Sequence, residues 1–272
     1  MHTLVDGDIL VYKAGCAAQK VIHQGFDVYG QLIAESNYIK DLRKIEEIVE
    51  IKQKVEAEPL KNALYLVKKK VEMILRETDA DEHTIFITAE DIKKNFRYKV
   101  DNTYKANRKA PKPVHYDAIR QYIIKKYNTV VVDGHEADDA LGIVQCELNK
   151  NGTKSCIASI DKDLLQIPGL HYNIDTGNWM EASDPGKLWL EKTKSGKWQL
   201  KGYGEVWFWA QNLLGDPTDN IKGLKGYGDV KTFKYLTKEG QLSIEERVTH
   251  LFRHKLGDLE VNKQLLWIKR EI

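Results

Sequence analysis

Short runs of β-branched and aromatic residues alternate with helix-patterned stretches through the first two thirds of the chain, which predicts a mostly parallel sheet covered by helices. The strands fall at residues 3–5, 84–88 (TIFIT), 129–132 (TVVV) and 155–160 (SCIASI). Between the last two, Leu141, Val144 and Leu148 recur at the spacing of a helix with one buried face, and Asn151-Gly152 ends it. Residues 129–160 therefore read as one βαβ unit. Residues 40–78 are dominated by helix formers broken at Pro59, and predict two helices. The stretch 171–204 carries turn signals at Asp175-Thr176-Gly177-Asn178 and Asp184-Pro185-Gly186, and predicts short hairpins. Helices are expected at 205–214, 230–236 and around Glu245. The expected class is α/β: a mostly parallel central sheet with flanking helices over residues 1–185, then a mainly helical region over 186–272.

Composition narrows the picture. At 42% hydrophobic and 30% charged the chain has no apolar run near the ~18 to 20 residues that span a bilayer. Its first residues lack the basic start and apolar stretch of a signal peptide, so a cytoplasmic location is expected. Cys16, Cys146 and Cys156 show no paired spacing and read as reduced core residues. The net charge of +2 hides a segregation: residues 93–112 hold eight Lys or Arg against one acid, Asp101. Acids cluster elsewhere, at Asp6 and Asp8, Glu136, Asp138 and Asp139, Asp161 and Asp163, and Asp216 and Asp219.

These acids follow predicted strands, where loops of an open parallel sheet converge on a ligand crevice. Asp6 follows the first strand, Glu90 and Asp91 the second, Asp133 and the Glu136 group the third, and Asp161 with Asp163 the fourth. One acidic pair after a strand is ordinarily a solvated turn or a helix N-cap. Repetition at several strand ends calls for more, because packed carboxylates repel one another unless a cation of high charge lies among them. An oxygen-only ligand set without His or Cys selects hard ions such as Mg²⁺ or Mn²⁺. Two such ions suit phosphodiester hydrolysis.

Five stretches, VDGD (5–8), NFRYKVDNTYKANRKAPKP (95–113), VDGHEADDALG (132–142), SIDKDLLQI (159–167) and GDPTDNIKGLKGYG (215–228), together resemble the 5′ nucleases, the flap endonucleases and 5′→3′ exonucleases, and among them the phage enzymes. The resemblance implies a PIN-like catalytic fold acting by a two-metal mechanism in phage DNA replication or degradation. Carried over by position, it assigns Asp6, Glu136, Asp138, Asp139, Asp161, Asp163, Asp216 and Asp219 to two Mg²⁺ ions, for which Mn²⁺ can substitute. An acid is also expected before the Asn-Phe-Arg segment. Glu90 and Asp91 both qualify, with Glu90 the better placed. Residues 16–80 match nothing in the family.

The basic run interleaves Phe96, Tyr98 and Tyr104 with its cations, a composition suited to tracking a single strand. By resemblance it is part of a basic arch over about 90–127, with Lys105 and Arg108 at the scissile phosphate and Arg97, Lys99, Tyr104, Lys109 and Lys112 contacting DNA. The glycines of Ile221–Gly228 can leave backbone donors free for phosphate. Following GDPTDN they resemble a helix-three-turn-helix over about 205–237, which grips duplex DNA through Lys222, Gly223, Lys225, Gly226, Gly228 and Lys231 and is associated with K⁺. The expected partner is DNA with a 5′ end, flap or single-strand/duplex junction, with an RNA:DNA hybrid left open and no obligate protein partner evident. A PIN-type ribonuclease is the alternative, though it generally lacks the glycine hairpin. A non-catalytic DNA-binding protein would leave the acids unexplained. His135 reads as structural. Trp179, Trp189, Trp198, Trp207 and Trp209 read as core and hairpin packing.

Overall fold

The computed structural model describes residues 1–108, 110–238 and 240–272. From the N-terminus come strand β1 (His2–Asp6), helix α1 (Gly7–Ala17), strands β2 (Gln19–Phe26) and β3 (Leu32–Ser36), the short helix α2 (Ile39–Leu42), strand β4 (Glu50–Ala57) and helix α3 (Leu60–Glu77). Next are β5 (Glu82–Thr88), α4 (Phe96–Val100), α5 (Tyr116–Lys126), β6 (Thr129–Val132), α6 (Ala137–Lys150) and β7 (Ser155–Ser159). Last come β8 (Gly169–Asn173), β9 (Trp179–Ala182), β10 (Lys187–Lys192) and β11 (Trp198–Tyr203), with helices α7 (Glu205–Leu214), α8 (Asp229–Leu236), α9 (Ile244–Leu251) and α10 (Leu256–Leu266). Packing divides the chain into a larger unit (Met1–Ile9, Met73–Ala110, Tyr127–Ile272) and a smaller one (Leu10–Glu72, Pro111–Lys126).

In the larger unit a sheet of order β6-β5-β1-β7-β8-β9 is parallel throughout except for β9, which runs antiparallel to β8. Strands β1, β5 and β7 are near-continuous buried runs, as expected where a parallel strand is covered on both faces. From β1 the chain steps outward through β5 to β6, then returns to β7 on the other side of β1. The carboxyl ends of β1 and β7 therefore flank a topological switch point, where open α/β sheets bind their ligands.

Two apolar cores stabilise this unit. Leu4, Phe86, Leu141, Ile157 and Leu164 join the sheet to α6 and the turn after β7. Leu188, Leu200, Trp207, Phe208, Phe252 and Leu265 fill the second, around the β10–β11 hairpin and the C-terminal helices. The expected boundary at residue 185 lies inside the larger unit, near the change from one core to the other.

The smaller unit contains an antiparallel sheet of order β3-β2-β4. Here the expectation of two helices over 40–78 is half corrected: the helix after Pro59 is α3, but the stretch before it contributes only α2 and then strand β4. Glu50–Ala57 pairs along its whole length with β2, from Gln19↔Ala57 to Phe26↔Glu50. Its helix-forming Glu and Lys alternate with Ile51, Gln53, Val55 and Ala57, and cross-strand pairing outweighs a weak local propensity. Among the described residues, no helix is long and apolar enough to cross a membrane.

Candidate active site

The switch point is acidic. Asp6, the last residue of β1, is 2% exposed; Ser159 Oγ donates to one of its oxygens at 2.7 Å and the Ile9 N–H to the other at 3.1 Å. Two residues beyond β7, Asp161 accepts the Asp163 N–H at 2.8 Å, which fixes the turn bearing both acids. The start of α6 brings Glu136 and Asp138, and the loop after α7 brings Asp216 and Asp219. A cleft of about 230 Å³ is lined by Glu136, Asp138, Asp161, Asp163, Asp216 and Asp219, and by the cations Lys105 and Arg108.

Burial makes this cluster costly when all its members are ionised. It raises the Asp163 carboxyl to about 7, with the charge of Asp161 adding to the effect. Asp6 is raised to about 7 by burial, against its bond from Ser159 and with the help of Asp8 and Asp161. Asp138 is raised well above the carboxylate range by burial, then by Asp161, Asp6 and Glu136, and Asp161 is raised by burial as well. Lys162 borders this side of the cleft, with its ammonium 3.8 Å from Asp163.

Cations gather on the other side. The Lys105 ammonium pairs with Glu136 at 2.5 Å and lies 3.9 Å from Asp219, while the Arg108 guanidinium donates twice to Asp219 Oδ1, at 3.1 and 2.5 Å. The Tyr104 hydroxyl bridges them, 3.3 Å from Glu136 and 3.2 Å from Asp219. Lys105 holds this position with φ +60°, a left-handed backbone uncommon outside glycine.

Several expected site residues are placed elsewhere. Asp139 is fully buried and its oxygens are taken by the two terminal nitrogens of Arg97 and the N–H groups of Glu136 and Lys269, so no lone pair is directed at the cleft. Burial opposes its ionisation, but Arg97 prevails and holds its pKa below the ordinary carboxylate value. The helix-cap reading is thus the correct one for this acid. Arg97, expected to contact DNA, is 2% exposed and also donates to the carbonyls of Leu265 and Trp267. Tyr104 is likewise buried, at 4% exposed, and faces the acids. Glu90 is exposed and outside the cleft lining, and Asp91 caps the turn that follows by accepting the Lys93 N–H at 3.1 Å. Lys99 is exposed; Lys112 belongs to the smaller unit, with its ammonium 4.3 Å from the Tyr116 ring centroid. Lys109 lies outside the described residues.

Between α7 and α8, Gly215–Asp216 pairs with Ile221–Lys222 and a tight loop leads into the next helix. At Gly223 an added Cβ would meet the Leu214 carbonyl carbon at 2.3 Å, whereas Gly226 is open to its surroundings and has φ +85°. Gly228 is also open, and Lys222, Lys225 and Lys231 are exposed around the loop. Sequence reasoning missed Ser159 and Gln211, whose side chains donate to Asp6 and to Asp163 at 2.7 and 2.6 Å. Gln211 had a signal, a polar residue among the apolar positions of α7, and it is 3% exposed.

The sequence profile of the 5′–3′ exonuclease, N-terminal resolvase-like domain matches residues 2–185, more than half of the chain. The chain belongs to the 5′–3′ exonuclease family. It is 27% identical over 207 residues to a thermostable DNA polymerase I of Thermus thermophilus, covering 69% of this chain and 23% of that protein. The chain thus spans under a quarter of the length of that polymerase. A flap endonuclease Xni of Colwellia psychrerythraea is 24% identical over 264 residues, covering 89% of this chain and 87% of its own. The fold of this exonuclease-family chain is shared with the flap endonuclease of bacteriophage T5, solved as a pseudo-enzyme-product complex with DNA and metal ions, at a TM-score of 0.53 and 13% identity over 97% of this chain and 88% of that one.

Proposed function

We propose that this member of the 5′–3′ exonuclease family is a divalent-metal-dependent nuclease that hydrolyses DNA phosphodiesters at a 5′ end, flap or single-strand/duplex junction, in phage DNA replication or degradation. The observation that carries the reading is the cleft itself, where the buried Glu136 and the half-buried Asp138, Asp161, Asp163, Asp216 and Asp219, from separate strand and helix ends, face Lys105 and Arg108. The donor chemistry fits hard ions: oxygen only, and acids held above their ordinary pKa by burial and mutual repulsion, which bound Mg²⁺ or Mn²⁺ would relieve. Asp6, Asp138, Asp161 and Asp163, with Glu136, Asp216 and Asp219, are the residues that would hold two ions. When bound, such ions supply the attacking nucleophile and neutralise charge at phosphorus. Among the described residues no three His, Cys, Asp or Glu side chains form a ready coordination shell. Glu136 and Asp219 are occupied by Lys105 and Arg108, so loading requires those ion pairs to give way. The freed ammonium and guanidinium are then available to stabilise the phosphoryl oxygens. The loop from Gly215 to Gly228, with its lysines, is the surface assigned to the duplex backbone, with K⁺, as a helix-three-turn-helix.

Digestion of 5′-labelled duplex, flap and RNA:DNA hybrid substrates tests this directly. Cleavage from the 5′ side is expected with Mg²⁺ or Mn²⁺, and binding without efficient cleavage with Ca²⁺, whose coordination is larger and looser. Full activity in excess chelator would overturn the metal mechanism. Cleavage of RNA without cleavage of DNA would favour a PIN-type ribonuclease.

A further inference from the structure

Beside the acidic cleft is a second cavity of about 430 Å³, in the size range of small-ligand sites. It is bounded by the β7–β8–β9 side of the sheet and the β10–β11 hairpin, and four aromatic residues line it: Tyr172, Trp179, Trp189 and Trp207. The two cavities are continuous in their lining, since Asp161 and Lys162 border both. Packing alone does not account for Trp179 and Trp189. Trp179 is 43% exposed although it lies 5.1 Å from Tyr172, and Trp189 is half-buried, whereas Tyr172 and Trp207 are packed into the cavity wall. Lys162 is exposed at the shared border, with its ammonium 5.7 Å from the Trp207 ring centroid. A cation at the mouth and flat rings inside suit one class of occupant: a phosphate carrying an aromatic base.

We propose that this cavity is a nucleobase subsite, which takes the base of a nucleotide adjoining the scissile phosphate while Lys162 meets its phosphate. The inference rests on the nuclease reading above. Stacking on aromatic faces tolerates any base, so the subsite would position the strand without selecting sequence. It also gives Trp179 and Trp189 a binding role where the sequence alone suggested packing.

The test is an abasic scan. Single abasic sites are placed at successive positions on both sides of the cut in a labelled flap substrate, and cleavage by the wild-type protein is compared with that by Trp179→Ala and Trp189→Leu. Trp198→Ala, on the same hairpin but outside the cavity lining, is the control. The expected result is one position where loss of the base slows the wild type by about tenfold, the lower part of the range for one base–aromatic stack, a sensitivity that both cavity variants lose and the control keeps. In Ca²⁺, 2-aminopurine at that position should change fluorescence on binding to wild type but not to Trp179→Ala, a readout independent of turnover. Normal cleavage of the intact flap with no base-dependent position would overturn the subsite and leave the nuclease standing. Failure to cleave the intact flap in Mg²⁺ would overturn the nuclease reading, and this inference with it.

Discussion

Lys105 and Asp219 meet twice: the Lys105 N–H donates to the Asp219 carbonyl at 3.0 Å, and the Lys105 ammonium lies 3.9 Å from the Asp219 carboxylate. Around that pair the two segments are fastened further. Asn220, itself at φ +63°, donates to the Thr103 carbonyl at 3.0 Å, and the Asn107 amide donates to Pro217 and to Asn220, both at 3.1 Å. The turn bearing the cations and the loop bearing Asp216 and Asp219 are therefore one hydrogen-bonded assembly. Its position is set by that backbone bond and by the Asn107 and Asn220 amides, so truncating Lys105 or Arg108 should remove charge without moving the turn.

Lys105→Ala is accordingly expected to melt near the wild-type temperature while its turnover falls about 100-fold, the scale for losing one transition-state donor. Alanine is no less suited than lysine to φ +60°, so strain does not confound the comparison. Duplex affinity should change little, and Arg108→Ala should behave in the same direction. Single-turnover cleavage and a binding titration separate the two quantities. Equal losses in both would place these cations in the binding surface only.

Two acids from different motifs, Asp139 and Asp163, should respond in opposite ways to neutralisation. Asp139→Asn leaves the buried Arg97 charge without its counter-charge, and a broken buried pair costs about 3 to 5 kcal/mol. Asp163→Asn instead removes a charge that burial and Asp161 disfavour, and it retains an oxygen for the Gln211 donor. In urea denaturation at pH 8 with chelator, the first variant should be far less stable than wild type, and the second equally or more stable but inactive in Mg²⁺. A stable Asp139→Asn would contradict the structural role given to the Arg97 pair.

The acid cluster also sets a pH dependence. Asp6 and Asp163 titrate near 7 in the fold and near 4 when unfolded, so their burial costs nothing while both states are protonated. As pH rises from about 4 through 7 the unfolded state releases protons first, and stability is lost across that window. Divalent ions bind the ionised form and stabilise the fold by mass action. The thermal shift produced by Mg²⁺ should thus be larger at pH 8 than at pH 5. An equal shift at both would mean that the ions bind away from these carboxylates.

Much of this arrangement was legible in the sequence because it depends on local pattern. β6 and α7 fall on the expected residues, and the acids of β1, β7 and α6 converge because parallel strands present their carboxyl ends together. Orientation was not legible. Asp138 and Asp139 are adjacent in sequence, yet helical geometry turns one toward the cleft and the other toward Arg97, whose burial depends on carbonyls at Leu265 and Trp267, far along the chain. Nor was β4, where a distant partner strand overrides helix-forming residues.

Catalysis and duplex grip should separate by mutation, because different forces serve each. Asp161→Ala removes a carboxylate from the cleft and also a negative charge near a polyanion, so duplex binding should persist or tighten while cleavage collapses. Gly226→Val acts otherwise. A Cβ there meets nothing within 4 Å, so space is not the obstacle; the φ of +85° is, and a β-branched residue reaches it only at the expense of the loop's shape. The backbone donors proposed to meet phosphate would be displaced, binding should weaken, and cleavage should recover partly at high protein concentration. Lowering the salt should help this variant too, because its remaining phosphate contacts strengthen as ionic strength falls. It should not help Asp161→Ala, whose defect is chemical. Gel shifts and cleavage time courses across a salt series, on variants shown to be folded, would decide the matter; the same salt response in both would refute the separation.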